Sequence, residues 1–182
     1  MKTNEKSEFE GVKVTLANSA TDDRGKFVKF HPTQELHAPL DSVAVSINPD
    51  VATVRGLHFQ VEPYAEEKLI SCIQGSIFDV IVDLRPNSKT FGRWTSFELS
   101  STNNLQIYLP KGFAHGFQTL EPNSIVLYSL GASYSPNSSY SINPFGDLRI
   151  QWPLETKAIS DKDEKGISFQ YGAQKYADSI ED

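Results

Sequence analysis

Ser76-Ile77-Phe78-Asp79-Val80-Ile81-Val82-Asp83-Leu84 decides the fold. Ile77, Asp79, Ile81 and Asp83 share one parity and Phe78, Val80, Val82 and Leu84 the other, so an extended chain carries apolar side chains on both faces. That is a strand buried on both sides. Just upstream, residues 69–73 read as a second strand, and Gln74-Gly75-Ser76 between the two reads as a hairpin turn. Working outward, strands are predicted at 12–16, 43–48, 53–59, 94–99, 104–109, 115–119 and 124–130. Asn-Pro-Asp, Arg-Pro-Asn-Ser, Thr-Asn-Asn and Glu-Pro-Asn-Ser turns divide them. Many short strands at this spacing predict an all-β barrel or sandwich. Helices are expected only near 33–37 and in the polar tail after Trp152-Pro153.

The 182 residues, 38% of them hydrophobic, suit one domain spanning 1–182 with a substantial core, residues 1–8 and about 170–182 being peripheral. A net charge of −6 without clustered Lys and Arg excludes a general nucleic-acid binder. The single cysteine, Cys72, cannot close an internal disulfide, and residues 1–8 lack the apolar core of a signal peptide. No apolar run approaches the ~20 residues that a membrane helix needs. A soluble cytoplasmic protein that binds no membrane is the expectation.

His31 and His37 lie in a polar stretch and are expected at the surface, whereas His58 and His115 lie in apolar strands beside Gly56, Gly112 and Gly116. Glycine in a strand marks a bulge or a close approach of backbone or ligand. A buried neutral imidazole is a base suited to work near pH 7, although a core histidine bonded to a backbone carbonyl would look the same. A metal site needs at least three converging ligands. The same-parity neighbours of His58 are Gly56 and Gln60, so there is no His-x-His pair. Asp79 and Asp83, in the most apolar strand, each need a cation or hydrogen-bond donors, and Lys68 at the start of the neighbouring strand could supply one. The ordinary reading of that pairing is a salt bridge that fixes register. Tyr128 shares parity with Val126 and Leu130 and reads as a core tyrosine. Arg24 and Arg55 each adjoin a glycine, which lets backbone and guanidinium approach an anion together. Strict alternation sends Arg55 and His58 to opposite faces, so a shared pocket requires a bulge at Gly56.

A set of motifs runs in order from about residue 10 to 165: Asp-x-Arg-Gly, Arg-Gly-Leu-His-Phe-Gln, Glu-Lys-Leu-Ile, Gly-Ser-Ile-Phe-Asp-Val-Ile-Val-Asp-Leu-Arg, Thr-Phe-Gly-Arg-Trp, Pro-Lys-Gly-Phe-Ala-His-Gly-Phe, Leu-Tyr and Ser-Asp-Lys-Asp. Together they resemble the dTDP-4-dehydrorhamnose 3,5-epimerase family. The resemblance implies a cupin jelly roll (double-stranded β-helix) with short peripheral helices, dimeric through exchanged strands. It also implies an isomerase that needs no metal or other cofactor and epimerises a nucleotide-diphosphate-linked 4-keto-6-deoxyhexose at C3, C5 or both, in deoxysugar biosynthesis. By position it implies His58 as general base, Asp163 as the carboxylate that orients it, Tyr128 as acid and Lys68 as the holder of the enolate. Asp79, His115 and Gln60 fall on pocket positions. Arg24, Arg55 and Tyr134 match contacts to diphosphate and base, with Arg24 contributed by the partner subunit. The chain departs from the family pattern in a short path from Ser46-Ile47-Asn48 to Arg55, in Lys29 where glutamate is common, and in Asn143-Pro144-Phe145. These departures resemble members that invert a single carbon. The rival readings are a metal-dependent cupin and a sugar-binding cupin without turnover.

Overall fold

The computed structural model describes residues 8–30 and 36–181. Among these residues twelve strands form in chain order: β1 Lys13–Leu16, β2 Asn18–Asp22, β3 Gly25–Lys29, β4 Ser42–Asn48, β5 Val54–Gln60, β6 Lys68–Gln74, β7 Ser76–Asp83, β8 Trp94–Ser100, β9 Leu105–Leu109, β10 Phe113–Thr119, β11 Ser124–Leu130 and β12 Ser139–Ser141. Two helices follow, α1 Asp161–Glu164 and α2 Phe169–Glu181. The strands make two antiparallel five-stranded sheets, ordered β1-β9-β6-β11-β4 and β12-β5-β10-β7-β8, with β2 and β3 as a separate hairpin. This is a cupin-type jelly roll.

The alternation in β7 has two destinations. Ile77 and Ile81 join Ile70, Cys72, Ile107, Phe117 and Val126 in a core between the sheets. Val80 and Val82 point the other way, into a second core with Leu57, Phe59, Ala114, Ile142 and Tyr176. Helix α2 packs on that outer core through Tyr176, and Ala173 of the same helix is also buried. Burial of aliphatic side chains on both faces, each worth roughly 1.5–3 kcal/mol, fixes the strand's position between the two layers.

One expectation changes, and one element is new. Gln74-Gly75-Ser76 does not close a hairpin, because β6 and β7 belong to different sheets. Gly75 (φ 69°) instead turns the chain from one sheet to the other. The β2–β3 hairpin was not predicted: every β2 residue is exposed, so no buried face imposes an apolar period. Of the helix expected near 33–37, residues 33–35 lie outside the described residues, as does His31, while Leu36 and His37 are irregular.

Candidate active site

Gly56 and Gly116 let β5 and β10 meet almost backbone to backbone. A Cβ on Gly56 would stand 2.6 Å from Gly116 Cα and 2.7 Å from the His115 carbonyl oxygen, and Gly56 has φ +113°. Pairing with β10 runs His115 to His58 but Phe117 to Arg55, so β5 holds one extra residue there. This bulge cancels the alternation that would separate Arg55 from His58. Both line one recess with Ser46 and Tyr128. Arg55 Nε donates to Asn48 Oδ1 at 2.7 Å, which aims the guanidinium.

His58 is held by a carboxylate from the far end of the chain. Asp163 Oδ1 lies 2.7 Å from His58 Nε2 and accepts from Ser141 Oγ at 2.8 Å, while Oδ2 accepts from the Gly56 N–H at 3.2 Å. Burial pushes the Asp163 carboxyl pKa up, but the bonds from His58, Ser141 and Gly56 outweigh it and hold the group at about 2. An ionised carboxylate only accepts hydrogen bonds, so Nε2 carries the hydrogen of this contact. The His58 side chain is 42% exposed against 5% for Asp163, so the dyad has a dry carboxylate and an open imidazole. Ser160 caps α1 by accepting from the Asp163 N–H, and that turn sets the carboxylate's place.

A second, fully buried dyad stands beside it. His115 Nε2 and Asp79 Oδ1 are 2.6 Å apart, and Asp79 Oδ2 has no hydrogen-bond partner among the described residues. Burial pushes the Asp79 carboxyl pKa up against the pull of His115 and Lys68. The direct partner of Asp79 is therefore His115 rather than the lysine expected from strand adjacency. Lys68 Nζ pairs with Glu66 Oε1 at 3.0 Å. Asp83 is structural: Arg85, Ser88 and Thr90 all donate to its carboxylate and outweigh burial to lower its pKa. The Tyr128 ring meets His115 edge-on, 5.9 Å between centroids. Burial first and the Asp79 charge second push the Tyr128 hydroxyl pKa up, which keeps the phenol protonated at neutral pH.

His58, Gln60, Lys68, His115, Tyr128 and Tyr134 all line one cavity. Gln60 spends its amide on the loop beside it, donating to the Tyr64 and Ser133 carbonyls and accepting from the Ser135 N–H. Arg24 is elsewhere, at the tip of the β2–β3 hairpin, 90% exposed and paired with Asp22 at 2.6 Å. Glu66, Lys162, Ser141 and Asn48 were not singled out from sequence. Glu66 and Lys162 sit in runs of charge that read as solvated surface. Among the described residues no group of three His, Cys, Asp or Glu side chains converges as a metal site would require.

Barrel and cavity together define the class, a cupin-type jelly roll with a histidine–carboxylate dyad at an open pocket. The family profile of dTDP-4-dehydrorhamnose 3,5-epimerase matches residues 6–171. A dTDP-4-dehydrorhamnose 3,5-epimerase of Sinorhizobium fredii is 43% identical over 136 residues, 69% of each chain. The crystal structure of the Bacillus anthracis dTDP-4-dehydrorhamnose 3,5-epimerase with TDP and PPi bound superposes with a TM-score of 0.86 at 37% identity, covering 92% of this chain and 99% of that one. A 3'-monoepimerase from Streptomyces bikiniensis in complex with dTDP-quinovose gives a TM-score of 0.81 at 27% identity, covering 94% and 97%. The chain belongs to the dTDP-4-dehydrorhamnose 3,5-epimerase family.

Proposed function

We propose that this enzyme epimerises a dTDP-linked 4-keto-6-deoxyhexose at C3, C5 or both. The observation that carries the reading is the opposition of His58, on β5 of one sheet, to Tyr128, on β11 of the other, across one cavity. A C4 ketone acidifies the neighbouring C–H bonds. His58 Nδ1 takes the proton, and the electron pair moves onto the carbonyl oxygen as an enolate beside the Lys68 ammonium. A fixed cation where charge develops is the largest electrostatic contribution such a site can make. Tyr128 then delivers its proton to the opposite face of the same carbon, which inverts the centre. His58 ends protonated and Tyr128 ionised, and exchange with solvent restores both. The His115–Asp79 dyad stands against the Tyr128 ring and supports that group from below. Arg55 and Tyr134 border the cavity and suit the diphosphate and base. The buried free thiol of Cys72 suits a reducing, cytoplasmic setting.

A second copy completes the picture. Among the described residues, strand β4 is a sheet edge whose Val43, Val45 and Ile47 are 57%, 52% and 67% exposed, and the β2–β3 hairpin pairs with neither sheet. An unpaired apolar edge and a detached hairpin suit a homodimer with exchanged strands, in which Arg24 reaches the neighbouring subunit's site.

The test is turnover of a dTDP-4-keto-6-deoxyglucose in deuterated buffer, with label position read by NMR. Deuterium is expected at C3, C5 or both, which also identifies the carbons inverted. His58→Ala is expected to abolish exchange, whereas Tyr128→Phe hurts inversion more than exchange. Exchange at the native rate in His58→Ala would remove His58 as the base. Equal losses of both readouts in Tyr128→Phe would remove Tyr128 as the acid.

A further inference from the structure

Three consecutive charges, Glu66-Glu67-Lys68, lead into β6, and extended backbone sends the middle one away from the other two. Glu67 is fastened outside the cavity. Its carboxylate accepts from the backbone N–H of His37 at 2.8 Å and of Ala38 at 3.2 Å, and its carbonyl accepts from the Gly131 N–H at 3.0 Å. With Glu67 tied, Glu66 and Lys68 are committed to the opposite side. There both line the cavity, 11% and 9% exposed, with Nζ 3.0 Å from Oε1. At such burial the pair is mutually dependent, because an isolated ion in either position would be left without its solvation.

We propose that Glu66 is a positioning residue that acts through Lys68, holding the ammonium against the cavity wall where a substrate carbonyl oxygen can reach it. The inference rests on the epimerase reading above. An ammonium has three N–H donors on a flexible stem, and its reach is set by whatever it is bonded to. Glu66 takes one donor and leaves the others free for an enolate oxygen. Asp79 also faces this ammonium, but from within the core and through space rather than by contact. Glu66 therefore decides where the charge stands when the proton leaves carbon, which makes its contribution one to kcat rather than to substrate binding.

A double-mutant cycle tests this with Glu66→Gln, Lys68→Met and the double variant, each checked for an intact fold by thermal unfolding. In the wild-type background Glu66→Gln is expected to lower kcat about tenfold with KM within about twofold, and Glu66→Asp to recover most of the loss. In the Lys68→Met background the same change is expected to cost nothing further, since the group it positions is gone. Additive losses, or a rise in KM at unchanged kcat, would overturn the inference. Wild-type activity in Glu66→Gln would overturn it too and leave the epimerase reading standing. Wild-type protein that neither turns over nor exchanges label would instead sink the epimerase reading.

Discussion

At the residue scale, the chemistry depends on how each histidine is held. Asp163 is the more informative partner, because its carboxyl is kept at about 2 against an ordinary 3.8. A depressed carboxyl contributes stability above its unfolded pKa and loses it as pH falls through the folded value, here between about pH 4 and pH 2. That contribution is roughly 2 kcal/mol. Asp163→Asn is expected to be less stable than wild type at pH 6 and to show a flatter decline between pH 4 and pH 2, measured as urea unfolding across that range. A parallel decline in both proteins would mean that the carboxylate is not held as described. His58 and His115 were legible as special from neighbouring glycines alone. Asp163 was legible as the partner of His58 only through the family resemblance, since it stands 105 positions away and no local spacing encodes that distance. Glu66 escaped notice because a Glu-Glu-Lys run looks like any solvated charge cluster until the strand's facing is known.

At the scale of elements, strands with a buried face announced themselves and the others did not. β7 and β10 are buried at nearly every position, and the apolar side chains they carry on both faces made them legible in sequence. The β2–β3 hairpin is polar and exposed and left no such trace. The turn at Gly75 was visible, but whether a tight turn joins neighbours in one sheet or steps between two is set by partners remote in sequence. The β5 bulge is the element on which the cavity depends. Gly56→Ala is expected to cost roughly 2–4 kcal/mol by denaturant unfolding, from a positive φ and a Cβ driven into the β10 backbone. The variant that remains folded should lose activity out of proportion to its folded fraction, because Arg55 and His58 can no longer share a recess. Unchanged stability would show that the two backbones are not in close approach.

For the whole molecule, the edge at β4 is where assembly is tested. Ile47 points outward while Ser46 faces the recess and buried Asn48 holds Arg55. Ile47→Glu should therefore disturb association before it disturbs the site. Wild-type protein is expected to sediment as two copies of the 20.3 kDa chain and Ile47→Glu as one, with activity falling as the partner's Arg24 is withdrawn. A monomeric wild type with full activity would remove the exchanged-strand assembly. The order in which the molecule is made carries a last consequence. Every strand among the described residues is complete by Ser141, yet the carboxylate bonded to His58 arrives on α1, beginning at Asp161. A growing polypeptide on the ribosome can thus close its barrel before Asp163 has emerged to aim the imidazole.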